Sequence, residues 1–513
     1  MGAFWYQDFN VESRQPIGEP GWKVRFTPNE VGEWTAVAYA PALGMRSTPF
    51  QFQVASSNLP GFIRINKNNP RYLAYDNGEF FFPIGVNMSW YDEGHDPIEQ
   101  YKGWLDSFSA NGGNTIRVWM ADWSFGLEWK DTGLGNYDNR QYEAWLLDQL
   151  FGLANVRGVK IILVLINHGA FSLEVNSEWD DNPYNAALGG PLVKPEQLVS
   201  DPLAQAYFRQ RLNYITNRWG YSPDLLAWEW FNEVNLTPIT DAAILPWLKE
   251  MTAFLNERDV NQHLTTTSFA LRANSSIWQV DGLDIVQMHE YSSQINESEH
   301  DLAVRAGQDF QVLKDSIPVK PILLGEFGYS AKVYGDDIEK TGIHLHNGLW
   351  ATTFSRYAGS GMYWWWDTYI DPNNLWYHFK GLASFLDGED LTRYQPFSPL
   401  HISGSDDNAE QVVGLGLKGE KILVWLRSEG YTVQASIAAN RAIAEKTAYI
   451  PPLVEGKLLT LSNMADGDYS VRWFDPQQAK WLDVQSVTAQ DHTLYISIPS
   501  FRADLAAKIM LNP

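Results

Sequence analysis

Over residues 1 to about 58 apolar and polar positions alternate with period two, as in Trp22-Lys-Val24-Arg-Phe26, Trp34 through Tyr39 and Phe50-Gln-Phe52-Gln-Val54. Pro20-Gly21 and Pro28-Asn29 punctuate these runs. Successive side chains on a strand point to opposite faces, so the pattern predicts antiparallel strands with one covered face. Three or four strands are too few for a whole sandwich, and an incomplete β-domain is expected at 1–58.

From about residue 60 short apolar runs alternate with helix-length amphipathic segments, which predicts repeated βα units on a parallel sheet. Eight candidate strands follow: Phe81–Asn87, Asn114–Met120, Lys160–Asn167, Leu225–Glu233, His263–Ala270, Asp284–Tyr291, Pro321–Phe327 and Gly361–Asp367. Between them Phe208, Leu212, Ile215 and Trp219 recur at helical spacing, as do Leu248, Met251 and Leu255. Gly158 after Arg157 reads as a helix C-terminal cap. Eight such units fit a (β/α)8 TIM barrel over residues 59–394. An open doubly wound sheet is the weaker alternative, because no Gly-rich phosphate loop follows the first strand. Beyond residue 395 the helical pattern stops. Pro396 and Pro399 mark a connection, and alternation resumes with Ile422, Val424 and Leu426 against Leu423 and Trp425. Asp466-Gly467 reads as a hairpin turn. The expected class is therefore α/β, a TIM barrel between an N-terminal β-domain and a C-terminal β-sandwich at 395–513.

Composition narrows the function classes. A formal charge of −23 over 513 residues argues against nucleic acid or an anionic membrane surface, both of which call for clustered Lys and Arg. No run approaches the ~18–20 apolar residues of a membrane span. Cysteine is absent, which excludes disulfides, thiolate zinc sites and cysteine nucleophiles. No basic start followed by an apolar segment opens the chain, and Met1-Gly2-Ala3 reads like a truncated or engineered start. With 23 Trp, 24 Tyr and 25 Phe, the chain holds many flat, weakly hydrated faces, which suit either a large core or the C–H faces of sugars.

In a barrel, chemistry sits at the C-terminal ends of the strands. Strand four is expected to end in Trp230-Phe231-Asn232-Glu233, and strand seven reads Pro321-Ile-Leu-Leu-Gly-Glu326-Phe-Gly328. Each brings one carboxylate to the end of an apolar strand, where it is costly unless paired, hydrogen-bonded or used. Two such groups across one mouth could flank a glycosidic bond, one protonating the leaving oxygen and the other attacking C1. The bland alternative is a structural hydrogen-bond network.

Asn232-Glu233 and Gly325-Glu326-Phe327-Gly328 resemble the retaining glycoside hydrolases of clan A, most closely glycoside hydrolase family 5, over about residues 60–390. The resemblance implies Glu233 as acid/base, Glu326 as nucleophile and Asn232 on the sugar 2-OH. Arg117, in Thr115-Ile-Arg-Val-Trp119, matches the arginine that keeps the nucleophile ionised, although pairing with Glu229 is its structural alternative. His289 and Tyr291 match a His-x-Tyr serving the acid/base and the nucleophile, and strand alternation puts both on one face. His168 stands where relatives often bind substrate. In Met362-Tyr-Trp-Trp-Trp-Asp367, Trp365 is the expected floor under the attacked sugar, with Trp366 its competitor. Trp90 and Trp123 could line further subsites or pack in the core. The charge of Glu326 is expected to raise the pKa of Glu233. No cofactor or metal is expected.

The N-terminal segment also resembles the immunoglobulin-like domain that precedes some such barrels. The C-terminal domain could be a carbohydrate-binding module, and a packing partner is favoured. The expected partner is a β-linked oligosaccharide or polysaccharide, with β-1,4-glucan favoured over β-mannan or a short β-glucoside. Long loops at Trp123 to Tyr142 and Trp179 to Pro191 leave exo against endo action open. An inactive carbohydrate-binding barrel and a transglycosylase are the alternatives. A monomer in an extracellular or periplasmic setting completes the expectation.

Overall fold

The computed structural model describes residues 1–270, 276–292, 301–329, 339–397, 400–404, 412–441 and 449–512; Pro399 lies outside them. At the centre are β1 (Gly85–Asn87), β2 (Thr115–Trp119), β3 (Lys160–Val164), β4 (Leu225–Glu229), β5 (Leu264–Thr266), β6 (Val286–Ser292) and β7 (Ile322–Tyr329). Neighbours pair in parallel, for example Val86 with Ile116, Ile116 with Ile161, and Trp228 with Thr265. Ala270 bridges to His289, and Tyr363 bridges to both Phe327 on β7 and Val86 on β1. The pairing therefore returns to its starting strand. Every residue of β2, β3 and β4 is buried, which is why these segments read as continuous apolar runs rather than as alternation.

Helices α1 (Pro97–Ala110), α2 (Gln141–Asn155), α3 (Pro202–Trp219), α4 (Asp241–Asn256), α5 (Leu302–Ser316), α6 (Ile343–Phe354) and α7 (Tyr377–Leu386) fall between or after the strands. Local sequence fixes several starts. Asp96 and Asp201 each accept two backbone N–H bonds and are followed by proline at the first helical position. Thr240 and Asp301 cap α4 and α5 with one accepted backbone N–H each, and each cap contributes about 0.5–2 kcal/mol. The residues at helical spacing in α3 and α4 are all buried, as the periodicity requires.

Four elements differ from the sequence expectation. The fourth strand stops at Glu229, so Glu233 lies in the following loop. The eighth strand shrinks to the bridge at Tyr363, and Trp366–Ile370 winds into a π-helical turn. Asp466-Gly467 is no hairpin: Lys457–Ser462 and Gly467–Asp475, on either side, belong to different sheets. Pro20-Gly21 lies inside the strand Pro16–Lys23 rather than between strands. The described N-terminal strands form three two-stranded sheets, and Phe4 and Tyr6 join the main core instead of a core of their own.

After residue 394 the chain forms a six-stranded and a three-stranded antiparallel sheet that share one apolar cluster, including Val424, Leu459, Val471 and Ile496. The other face of the larger sheet packs on the helices. Trp425 stacks over Trp350 of α6 at 6.1 Å, and Phe474 meets Phe385 of α7 at 5.6 Å. This covering explains why α6 is buried on every side. At the seam Asp504 accepts from Trp425 Nε1 at 2.8 Å and Gln477 Nε2 at 3.0 Å, and faces His346 Nε2 at 2.8 Å. These partners hold the Asp504 carboxyl below its ordinary range against the cost of burial. A depressed carboxylate adds stability above its unfolded pKa and loses it as pH falls through the folded value. Asp504→Ala should therefore lower the denaturation midpoint at neutral pH, the loss of stability being about 3–5 kcal/mol, with the difference shrinking in acid. Equal midpoints at pH 7 would mean the seam holds without this charge.

Candidate active site

The two glutamates reach one mouth by different local devices. On β7 the register slips between Met288 and His289, so that His289 pairs with Glu326 and Gly325 becomes the extra residue. A Cβ on Gly325 would lie 2.6 Å from the Gln287 side chain, so this bulge requires glycine. Glu233 follows the end of β4 in the left-handed region, φ 48° and ψ 51°, and its N–H donates to Ser268 Oγ at 3.0 Å. A non-glycine residue held there is a strained placement that its surroundings must enforce.

Arg117 lies between them with no exposed surface. Its Nε and Nη2 donate to Glu229 at 2.7 Å each, Nη1 to Glu326 Oε1 at 2.5 Å, and Nη2 to Asn232 Oδ1 at 2.6 Å. The remaining Nη1 donor reaches Asn87 Oδ1 at 3.3 Å. Both readings of Arg117 therefore hold: it pairs with Glu229 and with Glu326. Being covered, it serves the carboxylates and has no surface for substrate.

Glu326 also accepts from the Tyr291 phenol at 2.5 Å. Burial and the neighbouring Glu326 push Tyr291 well above its usual pKa, which keeps the phenol a donor. Glu233 has different company. Its Oε1 lies 3.0 Å from His289 Nδ1 and its Oε2 3.8 Å from His168 Nδ1, and among the described residues no Lys or Arg pairs with it. Burial lowers His289 to about 4, so the ring is neutral near pH 7. Its Nε2 is buried without a described partner, which favours the tautomer with the proton on Nδ1, since a bare lone pair is cheaper to strand than an N–H.

Burial raises both carboxyls. On Glu326 the Arg117 guanidinium and the Tyr291 hydrogen bond oppose the rise. On Glu233 His168 and the more distant Arg117 oppose it, while Glu229 adds to it. The two carboxyls thus differ in their contacts, Glu326 alone accepting from a guanidinium and a phenol. The expected cause, repulsion by Glu326, gives way to burial as the leading one.

The other sequence candidates separate. His168 is buried; its Nδ1 lies 2.9 Å from Asn232 Nδ2, so the ring orients the Asn232 amide that Arg117 holds from the other side. Trp365 is half-buried, its Nε1 donates to the Tyr329 carbonyl at 2.8 Å, and its ring and Tyr291 both border the open side of Gly328. Trp366 is 1% exposed and sits in the core edge-on to Trp90 at 5.1 Å, so it has no face left for a ligand. Trp90 also meets Trp119, Trp123 and Trp364, each at 5.3–5.5 Å, and of these Trp123 is exposed. Asn87 is a site residue the sequence reading missed. Its amide donates to the carbonyls of Gly325, Met362 and Tyr363, tying β1 to β7 and to the eighth segment. The only available signal was a polar residue ending the apolar run Pro83 to Val86.

Among the described residues, Glu233, His289 and Glu326 form the one group whose side-chain oxygens and nitrogen lie within 4.8 Å of one another as metal ligands would. The Arg117 guanidinium already neutralises one of its two carboxylates, so the group is poorly suited to a cation.

No family model matches the chain. A mannan endo-1,4-beta-mannosidase from Cryptopygus antarcticus is 28% identical over 172 residues, covering 31% of this chain and 40% of that protein. Mannan endo-1,4-beta-mannosidase F from Aspergillus clavatus is 24% identical over 207 residues, 38% of this chain and 43% of the relative. The chain thus spans less than half the length of these curated relatives. Among solved structures, a glycoside hydrolase family 5 protein from Bacteroides vulgatus superimposes with TM-score 0.58 at 14% identity, covering 89% of this chain and 95% of its own. Another, named a glycoside hydrolase, gives 0.57 at 13% identity, over 89% and 99%. These likenesses concern the fold.

The raised pKa of Glu233 has a thermodynamic consequence. A carboxyl whose folded pKa lies above its unfolded value adds stability below the unfolded value and loses it as pH rises through the folded one. Glu233→Gln removes that loss. Thermal melts should show the variant gaining on wild type as pH rises above the ordinary Glu value of ~4.3. No gain as pH rises past that value would remove Glu233 as a carboxyl whose proton the fold retains.

Proposed function

We propose that this chain is a retaining glycoside hydrolase of the family 5 type that cuts β-1,4-mannan internally, with the parallel ring at about residues 59–394 as its (β/α)8 barrel and the sheets after 394 as a β-sandwich packing partner. The observation carrying the mechanism is the placement of Glu233 and Glu326, with side-chain oxygens within 4.8 Å across the mouth and unlike partners. Retaining enzymes hold their carboxyls ~5–5.5 Å apart, whereas inverting ones need ~6.5–9.5 Å for an intervening water. The names of the sequence relatives support mannan over the β-1,4-glucan favoured from sequence alone.

In the first step the ionised Glu326, fixed by Arg117 and Tyr291, attacks C1 while protonated Glu233 gives its proton to the departing glycosidic oxygen. The C1–O bond breaks, a glycosyl ester forms on Glu326, and the leaving chain departs with the proton. Esterification removes the Glu326 charge, which favours ionisation of Glu233. Glu233 then takes a proton from water as that water attacks C1, the ester bond breaks and both carboxyls are restored. Asn232, held between Arg117 and His168, is placed to meet the sugar 2-OH, and the Trp365 face offers a platform under the ring. An inactive binding barrel would have no use for the unlike environments of the two glutamates. A polymer substrate suits action outside the cell.

The test is hydrolysis of β-mannan and β-glucan oligomers with the product anomer followed by NMR. We expect internal cuts in mannan with retained configuration, and a loss of roughly 10⁴–10⁶-fold in Glu326→Gln. Glu233→Ala should slow the first step on natural linkages by about 10²–10⁴-fold but that on activated aryl glycosides far less, because their leaving groups need no proton; the second step, which uses Glu233 as base, slows for both. Inverted product, or equal first-step losses on both substrate types, would overturn the assigned roles.

A further inference from the structure

On the flank of the ring, away from the mouth, a groove of 440 Å³ runs between the N-terminal strand pair, the loop after β2 and helix α3. Its size lies within the roughly 300–1,000 Å³ usual for small-molecule sites. One wall is aromatic. Trp5 and Trp22 face each other across the pair Phe4–Phe9 and Pro16–Lys23, with rings 5.4 Å apart at 70°. Trp5 is half-buried, but Trp22 is 70% exposed. Leaving an indole in water forgoes the large burial that makes tryptophan useful in a core. The opposite wall is made of exposed Asn136, Asp138, Gln210 and Asn213. Gln210 Nε2 donates to the Gly135 carbonyl at 2.9 Å, and Asn136 Oδ1 accepts from the Asp138 N–H at 3.0 Å, which fixes both side chains. Each amide carries two donors and two lone pairs, so capacity remains for a ligand.

We propose that this groove is a second saccharide-binding site, holding a length of neutral polysaccharide by stacking on Trp22 and hydrogen bonds to the amide wall. An indole face beside amides matches the C–H face and hydroxyl rim of a sugar ring. Charge selects against other polymers. Asp138 is the one charged side chain in the lining, and the nearby cations are engaged elsewhere: Lys23 over the Tyr6 ring at 3.4 Å and Arg25 with Asp148 at 2.7 Å. Sulfated, uronic or phosphorylated chains would meet no cation there. The loop supplying Asn136 and Asp138 begins at the mouth with exposed Trp123, so one loop connects the two sites. The choice of β-mannan as probe rests on the proposed hydrolase reading; the groove itself asks only for a neutral glycan.

The test compares Glu326→Gln with Glu326→Gln/Trp22→Ala by affinity electrophoresis in gels containing β-mannan, β-glucan or starch. Because both proteins have the same catalytic site, any difference belongs to the groove. Loss of one stacking face should weaken retention roughly three- to tenfold on at least one neutral glycan, and Trp22→Phe should restore most of it. In the active protein, Trp22→Ala should lower kcat/KM on long chains more than on short oligomers. Equal retention with and without Trp22 on all three glycans would overturn the proposal, even with mannan hydrolysis intact. So would a dimer that Trp22→Ala dissolves, since the groove would then belong to a second copy. Trp22-dependent retention without any hydrolysis would instead leave the groove standing and remove the catalytic reading.

Discussion

The site depends on one buried guanidinium. Arg117 has no exposed surface, and a cation of that kind is tolerated only if its charge is balanced and all its donors are used. The five N–H groups of Arg117 meet Glu229 twice, Glu326, Asn232 and Asn87, so strands β1, β2 and β7 and the end of β4 are joined through one side chain. One guanidinium faces two carboxyls, Glu229 and Glu326, and among the described residues no Lys or Arg pairs with Glu233. Burial raises the Glu233 carboxyl and lowers His289 to about 4, so the ring does not supply the missing charge near pH 7. The unlike surroundings of two identical side chains come from where the single cation is placed.

The same constraint explains what the sequence could reveal. Glu326 and Glu233 stood out because an acid closing an apolar run is costly without a use, whereas Arg117 came only from the resemblance of Thr115-Ile-Arg-Val-Trp119 to the family pattern. The alternation of His289 and Tyr291 held because β6 is regular on the side where they project. What failed was backbone detail that apolar patterning does not encode. The run through Trp230 to Glu233 is apolar because it is buried, not because it is extended, and Glu233 adopts a left-handed conformation instead. The three tryptophans at 364–366 read as a strand for the same reason, although the backbone turns at Trp365 and winds onward as a π-helical segment. The Gly325 bulge was visible only as a glycine; its meaning needed the Gln287 side chain opposite.

The C-terminal sheets bear on the site indirectly. They cover α6 and α7, the helices that follow β7 and the eighth segment, and Arg427 from the larger sheet pairs at 2.5 Å with Asp301, the cap of α5. An α6 that is buried on every face could not stand at the rim of a free ring. The ring and the sheets are therefore one folding problem.

Aromatic content by itself says little about sugar binding. Of 23 tryptophans, eleven are the largest of the fully buried side chains, including Trp366, and these can touch no ligand. Half-buried Trp365 beside Gly328 and Tyr291, exposed Trp123 at the mouth and exposed Trp22 on the flank are different, because each keeps an indole face near water at the expense of burial. A core has no need of these faces, and a neutral glycan does. The informative quantity is therefore how much indole surface the fold leaves uncovered beside polar groups.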